Sequence, residues 1–140
     1  MSRYGVPLLR ITLGVIFVMN GYFALFVLKP AGAAQAINIL GLPLGEGLAW
    51  YVIVTHIVGG LMLIVGLKTR WAALANIPVI LIALFQVHVY YGLLMTCTIV
   101  YAVGGKAHHP VGLEYPLLVL AATAALALQG GGALAMTDDQ

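Results

Sequence analysis

Four apolar stretches, separated by short segments rich in glycine or charge, dominate the pattern of the chain. A helix needs about 20 mostly apolar residues to cross the hydrocarbon of a bilayer. Each stretch meets this length and predicts one membrane-spanning helix, at about residues 7–28, 46–67, 71–95 and 115–134. We therefore predict an all-α fold, in which residues 1–140 form a single transmembrane domain built as a four-helix bundle.

The connections after the first and third predicted helices carry patterns of their own. In PAGAAQAINILGLPLG, apolar residues repeat at helical spacing and predict a short interfacial helix. They are Ala33, Ala36, Ile37 and Leu40. The apolar run over residues 71–103 would measure ~50 Å as one helix, well beyond a bilayer core. We expect the crossing to end near residues 92–95, and TCTIVYAV to fold back, lie at the interface or meet a partner.

Composition agrees with a membrane protein and narrows its chemistry. Hydrophobic residues make up 63% of the chain and charged residues 7%, against roughly 25% charged residues in a soluble domain. The formal charge of +2 is too small to suggest nucleic acid as a partner, and there is no basic stripe, so we expect none. Cys97 is the single cysteine, which excludes an internal disulfide and a Cys-x-x-Cys redox cycle.

Basic residues predict the orientation of the helices. Four fall on one side and two on the other: Arg3, Arg10, Lys68 and Arg70 against Lys29 and Lys106. This excess predicts that both termini lie in the cytoplasm. The Ala-Gln-Ala sequence at 34–36 resembles a signal-peptide cleavage site, but the apolar run before it is too long for an ordinary signal peptide. We expect no cleavage there.

Polar groups at membrane depth are concentrated in the outer half of the predicted bundle. Counted from the helix ends, the inner half carries only Arg10 and Asn76, close to the cytoplasmic interface. This asymmetry is the main functional signal in the chain. The candidate ligand-binding residues are Asn20, His56, Gln86, His88, Tyr91 and Glu114.

His56 is the strongest single candidate. It shares a helix face with Gly60, and the face predicts packing inside the bundle because glycine lets another backbone approach closely. Two interpretations remain open: an interhelical hydrogen bond to Asn20, a tyrosine or a carbonyl, or a proton-handling or ligand-binding group, as is usual for an ionisable residue in a membrane. We favour the second, given the other polar groups at similar depth. The candidate helix-packing residues are Gly14, Gly21, Gly59 and Gly60.

Other cofactors and chemistries find less support. His56 and His88 stand on adjacent predicted helices but differ in depth by ~6 Å, which disfavours haem, whose axial nitrogens lie at one level. Adjacent loop histidines point apart too often for His108 and His109 to form a metal site with Glu114, so we expect none. The chain has no Gly-x-Ser-x-Gly motif for nucleophilic catalysis.

The four stretches together resemble one protein family. LLRITLGVIFVMNGYFALF is similar to the opening of DoxX-family proteins, and GLPLGEGLAWYVIVTHIVGGLMLIVGLKTRWAAL to their second helix. QVHVYYG and GLEYPLLVLAATAALALQGGGALAMTD resemble the third and fourth helices. The resemblance covers nearly the whole chain. It implies a four-helix, multi-pass protein of the bacterial or archaeal inner membrane.

The resemblance also implies a function. The family takes its name from a subunit of a thiosulfate:quinone oxidoreductase, so we expect a small subunit of a larger quinone-linked, respiratory-type redox complex. It would not be catalytic alone, would contact the lipid bilayer and other membrane subunits, and would offer a polar quinone pocket in the outer half of the bilayer. The alternative is a non-catalytic accessory subunit that stabilises another membrane complex, which the overhang LLMTCTIVYAV and the alanine-rich LAATAALALQGGG favour.

Departures from the family pattern fall at the candidate site. The family's histidine before glycine in the first helix is Asn20 here, its lysine falls at or near Ala24, and its glutamate before Gly-Gly is His56, whereas His88 and Glu114 match. The chain has therefore lost the family's intramembrane charge pair. Either it has drifted toward a structural role, or His56 and Asn20 preserve a neutral hydrogen-bonded version of the link.

Overall fold

The computed structural model of the chain describes residues 4–39, 41, 45–89 and 112–137. This part of the chain is almost entirely helical and contains no strand, which confirms the predicted all-α class. Helices α1 (Gly5–Val27), α2 (Lys29–Ile39) and α3 (Gly45–Val65) come first. Helix α4 runs from Thr69 to Ile82 and continues as a π-helical segment over Ala83–His88, and α5 spans Glu114–Gln129.

Helices α1 and α3 are each long and apolar enough to cross a bilayer, whereas the described parts of α4 and α5 are shorter apolar helices. The bounds of α1 and α3 lie within two residues of those expected from the sequence. Helix α5 ends at Gln129, before the expected residue 134, because Gly130 takes a left-handed φ of 81° and its N–H bonds back to Leu126 O. The expected end of the third crossing and the segment 96–103 lie outside the described residues.

Four of the helices share one hydrophobic core. Its members come from α1, α3, α4 and α5: Leu13, Phe17, Leu63, Ala72, Ala73, Ile80, Val119 and Leu126. The outer surface is apolar too, since Leu8, Trp71 and Leu118 are each about 70% exposed. A protein in water rarely presents so much large apolar surface on its helices, whereas lipid covers such a surface without cost.

Close contact between α1 and α3 depends on glycine. A Cβ at Gly14 would come within 2.7 Å of Gly60 O, and a Cβ at Gly60 within 2.8 Å of Gly14 O. Two turns further along α1, a Cβ at Gly21 would meet the backbone N of Ile57 at 3.0 Å. The two helix backbones therefore touch over several turns, which is the contact that small residues permit in membrane helices.

The residues after α5 pack against the turn between α3 and α4, at one end of the bundle. Helix α3 ends at Gly66, which takes a left-handed φ of 81°, and the residues after α5 bond to this turn through Met136 N to Gly66 O (3.0 Å) and Lys68 N to Thr137 Oγ1 (2.7 Å). Arg10, expected near the cytoplasmic interface, is only 1% exposed, and its Nη2 donates to Leu134 O at 3.2 Å. The C-terminal segment and Arg10 thus hold α1 against the α3–α4 turn.

Helix α2 lies in the connection for which the sequence predicts a short helix. It packs on the first turns of α3 through a small alanine cluster formed by Ala33, Ala34 and Ala49, with Ile37 beside it. It therefore covers one side of α3 at the end of the bundle away from Arg10.

Candidate ligand-binding cavity

Three of the four core helices leave α-helical geometry where they approach one another. Each carries a π-helical segment: Phe23–Val27 in α1, Thr55–Gly59 in α3 and Ala83–His88 in α4. Such segments are rare, and short ones occur often at functional sites. Three of the candidate ligand-binding residues, His56, Gln86 and His88, lie inside them. The irregular backbone therefore surrounds the same region that the sequence marks by its polar groups.

Two cavities open at this level of the bundle. The α5-side cavity, of about 130 Å³, is bounded by α1, α3, α4 and α5 and includes His88, Tyr115 and Pro116 in its wall. The α2-side cavity, of about 280 Å³, is bounded by α1 to α4 and includes Ala33 and Ile37 of α2. Both cavities are lined by Asn20, His56, Val79 and Ala83. His56 thus stands where the two cavities adjoin.

The side chain of His56 is held by α4 and α1. Its Nδ1 lies 2.9 Å from Oδ1 of Asn76, which is fully buried. The ring of Phe17 packs against the imidazole at a centroid distance of 5.2 Å and an angle of 42°. His56 itself is 9% exposed. The imidazole therefore has one edge fixed by a hydrogen bond and one face covered by an aromatic ring.

The amide of Asn76 has only one orientation that satisfies its surroundings. Its Nδ2 lies 2.9 Å from Ala72 O and 3.2 Å from Thr55 O, so both amide hydrogens point to carbonyl oxygens. The remaining oxygen, Oδ1, can only accept, and it accepts from Nδ1–H of His56. In a neutral imidazole the other nitrogen, Nε2, is then a hydrogen-bond acceptor. No described residue donates to it.

The pairing corrects two expectations from the sequence. Asn76 does not stand apart from the other polar candidates at one end of the bundle, because it meets His56 in the middle of α3. Asn20 does not bond to His56: its Nδ2 donates to Ile16 O in its own helix at 2.8 Å, and it reaches the site only as an exposed residue of the cavity walls. The neutral link between helices is therefore made by His56 and Asn76 rather than by His56 and Asn20.

A simple count would have found Asn76. A tight turn joins α3 to α4, and residues equally far from such a turn lie at the same level of two antiparallel helices. His56 stands ten residues before Gly66 and Asn76 ten residues after it. Depth counted from the predicted start of the third helix at residue 71, rather than from the turn, does not show this register.

The other candidate residues take different positions. His88 and Tyr115 line the α5-side cavity. Glu114 is the first residue of α5 and does not line either cavity; its Oε2 is buried without a hydrogen-bond partner among the described residues. The side chain of Gln86 and the whole of Tyr91 lie outside the described residues, as do His108 and His109.

The two histidines are further apart in depth than the sequence suggests. His88 lies twelve residues beyond Asn76, which is level with His56, so the difference in depth exceeds the four residues expected from the sequence. The expected difference of ~6 Å is therefore wrong, and the larger separation does not suit a pair of axial ligands for one haem. Within the described residues, no three metal-binding side chains come together.

The packing glycines frame the site. Gly14 and Gly60 bring α1 close to α3 on the side of the site nearer Arg10. Gly21 lies against Ile57 and the Cβ of His56. A Cβ at Gly59 would come within 2.5 Å of Nδ2 of Asn76. The absence of a side chain at Gly59 is what lets the asparagine amide approach α3 closely enough to reach His56.

The sequence model of the DoxX family matches residues 5–89, which is more than half of the chain and includes α1 to α4 with His56 and Asn76. No curated protein and no solved structure matches the chain.

Proposed function

Because this chain belongs to the DoxX family of membrane proteins, we propose that it binds the ring of a quinone at His56, as a small subunit of a quinone-linked redox complex in a bacterial or archaeal inner membrane. One observation carries the proposal: a buried histidine with an unpartnered Nε2 among the described residues lies where two cavities adjoin, inside a π-helical segment. An ionisable side chain in this setting is costly and points to function.

The cavities suit a ring of this size. An apolar cavity of about 150 Å³ accommodates one benzene molecule, and the α5-side cavity measures about 130 Å³. The α2-side cavity of about 280 Å³ stands near the lower end of the range for small-molecule sites, roughly 300–1,000 Å³. Apolar walls with a few polar groups match an aromatic or quinonoid ring with polar substituents. Asn20 and His56 would orient the ring, with His88 and Tyr115 at the far end of the α5-side cavity.

The arrangement in the membrane follows from the same residues. Helices α1, α3, α4 and α5 would form a four-helix transmembrane bundle, with α2 at the outer interface and both termini in the cytoplasm. The end of the bundle near Arg10, Lys68 and Arg70 would face the cytoplasm, in keeping with the excess of basic residues there. The two cavities would then lie near the middle of the bilayer and toward its outer half.

A subunit role is favoured over catalysis by this chain alone. A quinone reaction needs an electron donor, and the single Cys97 leaves the chain without a dithiol. No carboxylate of the described residues lines either cavity, so a proton released at the site has no acidic relay in this part of the chain. Another subunit would supply the electrons and the path for protons.

The accessory-subunit alternative gains no support from the packing glycines. The glycine face of α3 contacts α1 of the same chain, so it is not available to a partner. An apolar outer surface suits lipid as well as protein and favours neither. The quinone-binding proposal therefore has the more specific support.

A titration of the full-length protein in lipid nanodiscs with decylubiquinone and decylubiquinol tests the proposal. We expect saturable binding of at least one form, weakened by His56→Leu. Val58→Leu, in the same π-helical segment but half exposed on the outer surface, is the matched control and should leave binding unchanged. No saturable binding by the wild-type protein, or equal affinity in the His56→Leu variant, would overturn the proposal.

The membership of a complex has its own test. Gentle purification from native membranes, followed by identification of co-purifying proteins and an absorption spectrum, should recover a redox-active partner. A partner-free, colourless preparation from membranes that retain other complexes intact would contradict the subunit role.

A further inference from the structure

We infer that Nε2 of His56 accepts a hydrogen bond from a hydroxyl group of the ligand, so that the site prefers a lipophilic phenol or hydroquinone to an oxidised quinone. The inference rests on the proposed function, since it assumes that the cavities hold a ring, and it adds which chemical form is recognised. It depends on the hydrogen-bond network around Asn76 and on the walls of the two cavities.

The first step is the orientation of the Asn76 amide. Rotating the amide by half a turn would place Oδ1 against the two carbonyl oxygens of Ala72 and Thr55, and both hydrogen bonds would be lost. The rotated form would lose two hydrogen bonds worth about 0.5–1.5 kcal/mol each and would bring three oxygen atoms together with no hydrogen between them. The amide also lies close against Gly59, with no space for it to shift toward α3.

The second step is the tautomer of His56. With Oδ1 of Asn76 as an acceptor 2.9 Å away, the hydrogen of a neutral imidazole belongs on Nδ1. The neutral form is the one that the site favours, because the ring packs on Phe17 and no carboxylate of the described residues lines either cavity to pair with a cation. The lone pair of Nε2 is therefore the hydrogen-bonding function that His56 offers to a ligand.

The third step is the match to the ligand. A quinone carbonyl oxygen carries lone pairs only and would meet the lone pair of Nε2 without a hydrogen between them. A hydroxyl group on the same ring supplies that hydrogen. The α5-side cavity, at about 130 Å³, has the size for one ring beside His56. Recognition by hydrogen bond thus selects the reduced, hydroxyl-bearing form of a quinone ring.

Two redox-inert probes separate this hydrogen bond from cavity filling. 4-Propylphenol and 4-propyltoluene differ by one hydroxyl in place of a methyl group of similar size. The affinities of the two probes for the full-length protein in nanodiscs give a phenol-to-toluene ratio. Dividing the wild-type ratio by the ratio measured on His56→Leu cancels the difference in how the two probes partition into lipid. We expect the phenol-to-toluene affinity ratio to be about tenfold higher in the wild type than in His56→Leu, which corresponds to one buried hydrogen bond. Val58→Leu should keep the wild-type ratio.

A spectroscopic measurement tests the same inference without any substitution. In protein labelled with ¹⁵N at histidine, the ring couplings of His56 should report the hydrogen on Nδ1 and a bare Nε2, and the Nε2 signal should shift when 4-propylphenol binds. A hydrogen on Nε2 in the wild type would overturn the inference, as would equal phenol-to-toluene ratios in the wild type and His56→Leu.

The outcomes distinguish the inference from the function on which it rests. If His56→Leu weakens the binding of decylubiquinone but the phenol-to-toluene ratio is the same in the wild type and in His56→Leu, ring binding at His56 stands and hydroxyl recognition fails. If decylubiquinone binds more tightly than decylubiquinol, hydroxyl recognition fails in the same way. If none of these ligands binds, both proposals fail.

Discussion

His56 and Asn76 join α3 to α4 by a hydrogen bond of 2.9 Å between Nδ1 and Oδ1, ten residues on either side of Gly66. The bond is buried, and Asn76 is fully satisfied because its amide hydrogens go to Ala72 O and Thr55 O. A polar pair of this kind fixes the register of two antiparallel helices. It also leaves Nε2, the second ring nitrogen of His56, available to accept a hydrogen bond from a ligand.

Asn76→Leu should destabilise the protein by about 1–3 kcal/mol. The substitution keeps the volume but removes the acceptor of His56 Nδ1 and the donors to two buried carbonyls. Equilibrium unfolding in mixed micelles measures the change. Asn20→Leu is the matched control, since Asn20 is exposed and, among the described residues, bonds within its own helix. It should change the free energy of unfolding by less than about 0.5 kcal/mol. Equal effects of the two substitutions would contradict the structural role of Asn76.

Gly60→Val should separate α1 from α3. The new side chain would enter the backbone of α1 at Gly14 and Val18, and overpacking of this kind costs about 1–3 kcal/mol. Gly47→Ala in the same helix is the control, because a Cβ at Gly47 meets nothing within 4 Å. Unfolding of both variants in mixed micelles, with crosslinking between α1 and α3 as a second measurement, tests the contact. A Gly60→Val protein as stable as Gly47→Ala would show that the helices do not touch there.

The sequence predicted the helices better than their ends. Long apolar runs identified α1 and α3, since only a helix satisfies its backbone in lipid. The end of α5 was placed too late because Gly130 and the residues after it are counted as apolar, although the backbone turns at Gly130. The π-helical segments carry no periodic signal of their own, so pattern analysis continued each helix through them.

The sequence pointed to His56 but not to its partner. His56 stood out as an ionisable residue in an apolar run. Asn76 did not, because its depth was counted from the helix end rather than from the turn that it shares with His56. The sequence does not predict which way a side chain points either. Asn20 lies near His56, yet its side chain bonds to its own helix.

Arg10→Met should loosen the C-terminal segment without unfolding the bundle. The guanidinium is buried, and its Nε and Nη1 have no hydrogen-bond partner among the described residues. Replacing a poorly paired buried charge by an apolar side chain is often neutral or stabilising. The bond from Nη2 to Leu134 O is lost, so amide hydrogen exchange at Met136 should quicken. A loss of more than about 3 kcal/mol of stability would contradict this.

Thr137→Val provides the comparison for Arg10. It removes the acceptor of Lys68 N but leaves the guanidinium in place. Exchange should quicken at Lys68 while the free energy of unfolding changes by no more than about 1 kcal/mol. If the two variants release the same amides to the same degree, the segment is held as a unit rather than by separate bonds.

Cysteine labelling tests the proposed orientation. In a Cys97→Ser background, Lys29→Cys should react with a membrane-impermeant maleimide from outside intact spheroplasts, whereas Lys68→Cys should react only after lysis. The two positions stand at opposite ends of α3, since α2 begins beside its start and the Gly66 turn follows its end. Labelling of both before lysis, or the reverse order, would contradict a cytoplasmic location of both termini.

Ala83→Leu should abolish ligand binding while preserving the fold. Ala83 lines both cavities with a methyl group. Three added carbons would therefore fill space that is empty beside His56. Filling a cavity costs little stability and can add some, so the free energy of unfolding should stay within about 1 kcal/mol. Quinol and phenol binding in nanodiscs should fall at least tenfold, while the Nδ1–H state of His56 in the ¹⁵N spectrum stays unchanged. Ala75→Leu is the control: Ala75 is in the same helix but lines neither cavity. Undiminished binding by a folded Ala83→Leu protein would place the ligand outside these cavities.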